Sequence, residues 1–274
     1  MIFFPNCKIN IGLDITARRP DGYHDIETLM VPVRGLTDIL EIVPSREGGV
    51  RFSSSGIEAG PAEGNLCVRA YGLMAELYPA VGGAAMHLYK MIPTGAGLGG
   101  GSADAAFTIK GLDQIFGLGL AAEEMEALGA KLGSDVPFFI RNEPQLASGR
   151  GEILAPHPMG RLRGMRLVVA MPRIAVSTAE AYAGVVPEVP HTPLRERLAL
   201  PVAEWRGEVS NGFERSVCAR YPAIGEIREA IYRAGAIYAS MSGSGSAVYG
   251  LFADDGRAVE TGLRDTLIHQ EVIA

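Results

Sequence analysis

A stretch rich in glycine constrains this chain more than any other feature of its sequence. Residues 93–103 read Pro-Thr-Gly-Ala-Gly-Leu-Gly-Gly-Gly-Ser-Ala; an apolar strand is predicted before them and apolar residues follow at helical spacing. Glycine has no Cβ, so the backbone here can turn tightly and let phosphate oxygens approach its amides. The dipole of the following helix favours negative charge at the same place. This stretch, the glycine loop, therefore predicts a cradle for phosphate groups.

Other interpretations of the glycine loop have to be weighed. It could be a flexible connection between a strand and a helix. Gly95, Gly97 and Gly100 also fit the G-x-G-x-x-G pattern of dinucleotide-binding oxidoreductases. That fold needs an acidic residue ending the next strand about 20 residues on, whereas Glu123 and Glu124 fall in a helical pattern. A P-loop is disfavoured because no Gly-Lys-Ser/Thr follows the glycines.

The order of predicted elements indicates an α+β chain of two domains. The first, 1–158, is predicted to be mainly antiparallel β with helices, and a segment with two prolines and two glycines, 155–164, marks the boundary. Its elements are strands at 8–15, 24–33, 38–43 and 86–92 and helices at 66–77, after the glycine loop, and at about 121–131.

The second predicted domain, 159–274, has the β-α-β-β-α-β order of ferredoxin-like domains, with 177–220 as an inserted helical stretch. Its predicted elements are a strand at 166–171, a helix at 224–234, hairpin strands at 237–241 and 247–252, a helix at 256–267 and a final strand at 271–273.

Charge and composition exclude several classes of protein. Lysine and arginine number 25 against 31 aspartate and glutamate residues, giving a net charge of −6, which disfavours a nucleic-acid partner. No apolar run approaches the ~18 residues of a membrane span, and the N-terminus lacks the pattern of a secretory signal. Three cysteines and five scattered histidines offer no disulfide framework and no dedicated metal motif. We therefore expect a cytoplasmic protein that binds neither nucleic acid nor membrane.

Two charged residues lie in settings that suggest chemistry. Lys8 interrupts an apolar strand, where an unpaired ammonium is costly to bury, so it either needs an anion or lies at the rim of an edge strand. Asp135 follows a predicted helix in a Gly-Ser-Asp-Val-Pro turn, where it could accept a proton as a general base or serve as a capping residue.

Three blocks of sequence resemble the GHMP kinases. Pro93–Ala103 resembles the phosphate loop of that family, Ser242–Phe252 its C-terminal glycine loop, and Pro5–Leu13 its N-terminal strand. The blocks occur in the family's order and span nearly the whole chain. The resemblance implies the two-domain GHMP kinase fold and a phosphotransferase that uses ATP with Mg²⁺.

Two further blocks are similar to the diphosphocytidyl-methylerythritol kinases, a branch of this family. They are Arg-Pro-Asp-Gly-Tyr-His at 19–24 and Gly-Ser-Asp-Val-Pro-Phe-Phe at 133–139. This similarity implies phosphorylation of the 2-hydroxyl of 4-diphosphocytidyl-2-C-methylerythritol, in the non-mevalonate route to isoprenoid precursors. Gly212 departs from the family, which often has aspartate in that place. Another GHMP kinase and a non-catalytic nucleotide-binding module remain as alternatives, with the oxidoreductase.

The resemblance also implies roles for individual residues. Lys8 and Asp135 form the catalytic pair, with the lysine keeping the aspartate ionised and oriented. A small-molecule substrate carrying a cytidine diphosphate group would contact Asn10, Tyr23, His24 and Tyr182, where Tyr182 closes the second face of the base. ATP would be held by Asn65 and Leu66, at a helix start where Asn65 is equally explained as a cap, and by Pro93, Thr94, Gly95, Ala96, Gly97, Leu98, Gly99, Gly100, Gly101, Ser102 and Ala103. Ser102 is also the candidate contact for magnesium.

Overall fold

The computed structural model describes residues 1–58 and 60–274, and the chain forms two compact units that do not follow sequence order. Unit 1 comprises Met1–Cys7, Leu36–Thr94 and Gly99–Glu143. Unit 2 comprises Lys8–Gly35, Gly95–Leu98 and Pro144–Ala274. The units therefore divide the chain differently from the predicted domains 1–158 and 159–274, which stay a prediction.

The helices and strands of the described residues are as follows. The strands are β1 (Ile2–Phe3), β2 (Asn6–Arg18), β3 (His24–Thr37), β4 (Ile39–Ser45), β5 (Val50–Gly56), β6 (Gly83–Lys90), β7 (Gln145–Ser148), β8 (Ile153–Pro156), β9 (Arg166–Pro172), β10 (Tyr238–Met241), β11 (Val248–Phe252) and β12 (Thr266–Val272). The α-helices are α1 (Leu66–Leu77), α2 (Gly100–Phe116), α3 (Ala122–Ala130), α4 (Val136–Arg141), α5 (Thr178–Ala183), α6 (Leu194–Leu198), α7 (Glu214–Arg220) and α8 (Pro222–Arg233), with 3₁₀ turns at Ala62–Gly64 and Val202–Glu204.

Unit 1 contains a four-stranded sheet in the order β1-β4-β6-β5, in which only the β5–β6 pair is parallel. Helix α2 lies close against this sheet at Gly111. A Cβ at that glycine would come within 2.8 Å of the side chains of Ile42 and Phe3. The apolar side chains of β4 and the small residues of α2 thus bury one face of the sheet, as the helical spacing after the glycine loop predicts.

The start of α1 confirms the predicted N-cap. The side-chain oxygen of Asn65 accepts a hydrogen bond from the amide of Cys67 at 2.9 Å, which satisfies one of the donors left open at a helix start. Helix α3 likewise falls within the predicted range of about 121–131.

Unit 2 contains two four-stranded sheets, β2-β3-β7-β8 and β10-β11-β9-β12. The β9–β11, β9–β12 and β10–β11 pairs are all antiparallel. One apolar core joins these sheets to helices α7 and α8. It includes Leu13 and Ile15 from β2, Val168 from β9 and Ile231 from α8. The core fixes β2, which carries Lys8 and Asn10, to the rest of unit 2.

The predicted helix over 256–267 is wrong. Residues 253–265 form no regular element, and β12 begins at Thr266, earlier than the predicted final strand at 271–273. Gly256 and Gly262 have φ values of +79° and +66°, which a right-handed helix excludes. The side chain of Gln270 also binds the backbone of Val259, accepting from its amide at 2.9 Å and donating to its carbonyl at 2.8 Å. The ferredoxin-like order predicted for the second domain therefore lacks its second helix.

In the described part of the chain, no helix combines the length and apolar character that crossing a membrane requires.

Candidate functional site

Lys8 and Asn10 are buried side by side next to the middle of the glycine loop. The ammonium of Lys8 donates to the side-chain oxygen of Asn10 and to the carbonyl of Gly97, the latter at 3.1 Å. The backbone amide of Lys8 also donates to the carbonyl of Leu98 at 3.0 Å. Asn10 in turn donates to the hydroxyl of Thr28 on β3 at 3.1 Å. Three of the predicted site residues, Lys8, Asn10 and Gly97, thus form one connected group.

A second glycine-rich segment, 242–246, holds the same part of the glycine loop. The hydroxyl of Ser242 donates to the carbonyl of Gly97 at 2.9 Å and accepts from the amide of Asn10 at 3.2 Å. Gly97 has φ +75°, and a Cβ there would lie 2.0 Å from the carbonyl oxygen of Ser242. No other residue type fits this position without moving one of the two segments. The structure therefore brings together two of the blocks recognised in the sequence.

The side chain of Asn211 fixes the segment 242–246 by hydrogen bonds. Its side-chain amide donates to the carbonyls of Met241 and Gly243, each at 2.8 Å, and its oxygen accepts from the amide of Phe213 at 2.9 Å. Its neighbour Gly212 lies against β2, where its amide donates to the carbonyl of Leu13 at 2.7 Å. The anchoring role of Asn211 was not predicted, because the carbonyls it binds lie about 30 residues later in the sequence.

The end of the glycine loop forms the first turn of α2. Gly99 has φ +69°, and its carbonyl accepts the first helical hydrogen bond, from the amide of Ala103 at 2.9 Å. The amides of the residues between them precede the helical hydrogen-bond ladder and are the donors that a helix start offers to an anion. Leu66, predicted to contact ATP, lies beside this turn, since a Cβ at Gly101 would be 3.7 Å from its Cδ1 atom.

A buried charged cluster underlies that turn and was missed in the sequence. The ammonium of Lys90, at the end of β6, pairs with Asp38 and with Asp104, the latter at 2.9 Å. Asp38 also accepts the amides of Met91 at 2.6 Å and Ile92 at 2.8 Å. The cluster therefore joins the residues just before the glycine loop to helix α2. The criterion applied to Lys8 could have identified Lys90, because Lys90 is also a lone lysine in an apolar strand.

Ionisation in this cluster is shifted by burial and by the excess of carboxylates. The pKa of Asp104 is raised from 3.8 to about 7, mainly by burial. The charge of Lys90 lowers this pKa, whereas the charge of Asp38 raises it further. Burial by itself lowers the pKa of Lys90, but the two carboxylates outweigh it and the pKa is raised. One ammonium cannot neutralise two buried carboxylates, which favours uptake of a proton by Asp104 while Lys90 stays charged.

Asp135 occupies the N-cap position of α4 in unit 1. Its backbone lies in the helical region at φ −85° and ψ −11°, its side chain does not cap the helix, and Pro137 follows at the second helical position. The capping alternative for Asp135 is thus not what the structure shows. The side chain is half-buried.

The predicted base-binding residues divide into two groups. The rings of His24 and Tyr182 stack with centroids 4.5 Å apart and an interplanar angle of 17°, and Tyr182 meets the ring of Phe213 edge-on at 4.8 Å. Tyr23 is exposed and lies under the guanidinium of Arg150, 4.8 Å from its centroid. Burial, and then the charge of Arg18, lower the pKa of His24, which favours a neutral imidazole.

Among the described residues, no group of three or more histidine, cysteine, aspartate or glutamate side chains is arranged to hold a metal ion. Ser102 is a half-buried residue in the first turn of α2. Its hydroxyl is a hard oxygen donor of the kind that Mg²⁺ accepts, together with water and phosphate oxygens.

Comparison with known proteins identifies the family. The family described as GHMP kinases N terminal domain matches residues 65–143, and the one described as GHMP kinases C terminal matches residues 204–268. The 4-diphosphocytidyl-2-C-methyl-D-erythritol kinase of Bacteroides thetaiotaomicron is 48% identical over 264 residues, covering 95% of each chain. The protein of that name from Cytophaga hutchinsonii is 47% identical, with 92% of each chain covered.

Solved structures agree with the sequence matches. A crystal structure of 4-(cytidine 5'-diphospho)-2C-methyl-D-erythritol kinase, 36% identical, covers 92% of this chain and 90% of its own with a TM-score of 0.77. A mevalonate kinase structure, only 14% identical, gives a TM-score of 0.70 over 98% of each chain, which shows a shared fold and no more. The chain has the GHMP kinase fold and belongs to the 4-diphosphocytidyl-2-C-methyl-D-erythritol kinase family.

Proposed function

We propose that this enzyme transfers the γ-phosphoryl group of ATP to the 2-hydroxyl of 4-diphosphocytidyl-2-C-methyl-D-erythritol, in the non-mevalonate route to isoprenoid precursors. The observation that carries the proposal is the 48% identity, over 95% of the chain, to a curated kinase whose name states that substrate. The contacts around Lys8 and the glycine loop support the proposal, because such a transfer needs a positioned cation and donors for phosphate.

Binding of the ATP phosphates falls to backbone amides. The positive φ values of Gly95, Gly97 and Gly99 turn the chain in a way that side chains would block. The first turn of α2 adds amides and the positive end of the helix dipole. With a net charge of −6, the chain has to hold a triphosphate by such local donors, since it has no overall positive field.

Phosphoryl transfer then requires a base for the acceptor hydroxyl and compensation of charge on the transferred group. We assign the base to Asp135 and its cationic partner to Lys8. The burial of Lys8, 3% exposed and fixed by Asn10 and Gly97, supports its part because a positioned ammonium needs no reorganisation during the reaction. Asn10, held by Thr28, is the candidate for binding the hydroxyl groups of the methylerythritol part.

Recognition of the cytidine base falls to Tyr23, His24 and Tyr182. A neutral imidazole can donate from one nitrogen and accept at the other, as the edge of a cytosine requires. The contact between His24 and Tyr182 at 4.5 Å leaves no room for a base between these two rings. The base therefore stacks on an outer face, with the exposed ring of Tyr23 as a further stacking surface, or it separates the pair on binding.

Magnesium would reach the site with ATP. Ser102 would hold it together with phosphate oxygens and water, and the ion would neutralise charge on the β- and γ-phosphates. Cys67, which is buried, and Cys218, which is half-buried, are free thiols, and this suits a reducing compartment such as the cytoplasm.

The test is an ATP-dependent assay with purified protein and 4-diphosphocytidyl-2-C-methyl-D-erythritol, followed by ³¹P NMR of the product. We expect ADP and a new phosphomonoester on the 2-hydroxyl. The same assay with mevalonate and homoserine should give no turnover. Activity on either of those alcohols without activity on the cytidyl substrate would make this a different GHMP kinase. Tight binding of NADH without binding of ATP would point to an oxidoreductase.

A further inference from the structure

Unit 2 contains a cavity that the proposed reaction does not use. It has a volume of about 340 Å³. Its lining residues come from β3, from the segment 157–162, and from α6 and the residues after it: Leu29, His157, Pro158, Met159, Gly160, Arg161, Leu162, Arg195, Leu198, Ala199 and Trp205. This volume is at the small end of the ~300–1,000 Å³ range of ligand sites.

The inner wall of the cavity is apolar. Leu29, Leu162, Leu198 and Trp205 are each no more than 4% exposed, so their side chains form its floor. The ring of Trp205 is held in place by its N–H, which donates to the carbonyl of Leu200 at 3.0 Å, and by an edge-on contact with Tyr238 at 5.5 Å. A rigid apolar floor of this kind binds an apolar group without having to reorganise.

The mouth of the cavity is positively charged. Arg161 and Arg195 are both exposed at its entrance, and within the described residues the lining contains no carboxylate. This is an unusual local balance in a chain that carries a net charge of −6. Two guanidinium groups beside an apolar floor match a ligand with an acidic head and an apolar body.

His157 adds an imidazole to the lining of the cavity. Its Nδ1 atom is buried and has no hydrogen-bond partner among the described residues. Its backbone amide is fixed by the carbonyl of Pro144 at 3.0 Å. A buried polar atom without a partner is destabilising, and Nδ1 gains a partner when the imidazole turns it towards an acidic group in the cavity. A neutral imidazole whose Nδ1 carries the proton can donate it to an anionic oxygen.

The location of the cavity separates it from the group around Lys8. Thr28 and Leu29 are consecutive residues of β3, so their side chains point to opposite faces of the sheet. Thr28 accepts the hydrogen bond from Asn10, whereas Leu29 lines the cavity. A ligand in the cavity would therefore lie behind the strand that supports the proposed substrate site.

We propose that this cavity is a binding site for a small amphiphilic anion, whose apolar body lies on Trp205 and the leucines and whose acidic group is held by His157 Nδ1, Arg161 and Arg195. The site is independent of the proposed kinase reaction, and its test does not use that reaction.

Trp205 is the single tryptophan of the chain, so its fluorescence reports on this cavity directly. We would titrate the full-length protein with octanoate and, separately, with 1-octanol, following Trp205 emission and the heat of binding by calorimetry. Octanoate should give a saturable change in both signals and should bind more tightly than octanol. The absence of saturable binding by calorimetry would overturn the proposal.

Matched variants test the charge. Arg195→Met should weaken the binding of octanoate by about three- to fivefold, which is the effect of losing a partly solvated ion pair. The affinity for octanol should not change. Arg233→Met makes the same change of charge at another exposed arginine, which does not line the cavity. It should leave the affinity for octanoate unchanged. Equal effects of the two variants, or equal affinities of the parent for octanoate and octanol, would refute a site for an anion.

A second variant tests His157. His157→Phe keeps a ring in place and removes the unpartnered Nδ1 atom. In the absence of octanoate, this variant should have a higher free energy of unfolding, because the buried unpaired atom is gone. It should also bind octanoate more weakly. A histidine with a purely structural role would give the reverse, a lower free energy of unfolding and unchanged affinity.

Discussion

Lys90 Nζ lies 2.9 Å from a carboxylate oxygen of Asp104, and the pair joins the strand that enters the glycine loop to the helix that leaves it. Both residues are buried, and Asp38 completes the cluster by binding the same ammonium and two backbone amides after β6. The two ends of the glycine loop thus depend on three charged side chains that lie outside it. Gly100 is part of this arrangement, since a Cβ there would lie 3.0 Å from Lys90 Nζ and 2.8 Å from Ile92.

Removing the ammonium should be strongly destabilising. Lys90→Met leaves two buried carboxylates without their cation, and breaking a buried pair in this way costs about 3–5 kcal/mol. The free energy of unfolding from urea titration measures the loss. Lys131→Met, at an exposed lysine in the same unit, is the matched control and should change stability by less than about 0.5 kcal/mol. A loss below about 1 kcal/mol for Lys90→Met would contradict the role given to the cluster.

Asp104 should make stability depend on pH. Because its pKa is raised from 3.8 to about 7, the folded protein binds a proton more tightly than the unfolded chain between these values. Its contribution to stability is therefore fully present below pH 3.8 and is lost as the pH rises towards 7. Asp104→Asn removes this titration. The difference in unfolding free energy, variant minus parent, should rise with pH across this window, by at most about 1.4 kcal/mol per pH unit. A difference independent of pH would show that Asp104 is ionised throughout.

Gly97→Ala should disturb the glycine loop. The left-handed backbone alone costs a residue with a Cβ about 1–2 kcal/mol, and the Cβ would also press on the carbonyl of Ser242. We expect a raised KM for ATP and a lowered melting temperature. Gly72→Ala in α1 is the control, because nothing lies within 4 Å of a Cβ there, and it should stabilise the protein by roughly 0.5–1 kcal/mol. If Gly97→Ala left the KM for ATP unchanged, the loop would not contact the nucleotide.

Asp135→Asn should separate catalysis from binding. If Asp135 is the general base, kcat falls by at least about tenfold, the low end of such a contribution, while the Kd of ATP is preserved. Asp255→Asn makes the same change at an exposed aspartate and should leave both constants as they are. An unchanged kcat for Asp135→Asn would remove it from the proposed catalytic pair.

Tyr182→Ala should raise the KM for the cytidyl substrate far more than the KM for ATP. The change removes the ring that stacks on His24, and loss of one base-stacking surface costs about 1–3 kcal/mol, or roughly tenfold in KM. Tyr23→Ala should act in the same direction. Tyr182→Phe keeps the ring and should raise the KM for the cytidyl substrate less than Tyr182→Ala does. Equal weakening of both substrates would mean that these rings support the fold and do not recognise the base.

Much of the local structure was predictable from sequence. The cap at Asn65, the helix after the glycine loop and the strands around Lys8 follow from patterns within a few residues, which the backbone obeys locally. The helix predicted over 256–267 failed for a reason that is not local. The backbone there is bound by Gln270 on β12, and two glycines take positive φ values.

What the sequence by itself determined is therefore the family and the local elements around the glycine loop, because these depend on residue types at short spacing, and the same patterns supply the prediction that the loop binds phosphate. Only the tertiary structure decided which distant residues meet. Asp38 reaches Lys90 across 52 positions, and Asn211 binds the carbonyl of Gly243 across 32 positions. Such pairs are selected by packing of the whole core, since burial forces each charge or polar atom to find a partner wherever the fold supplies one.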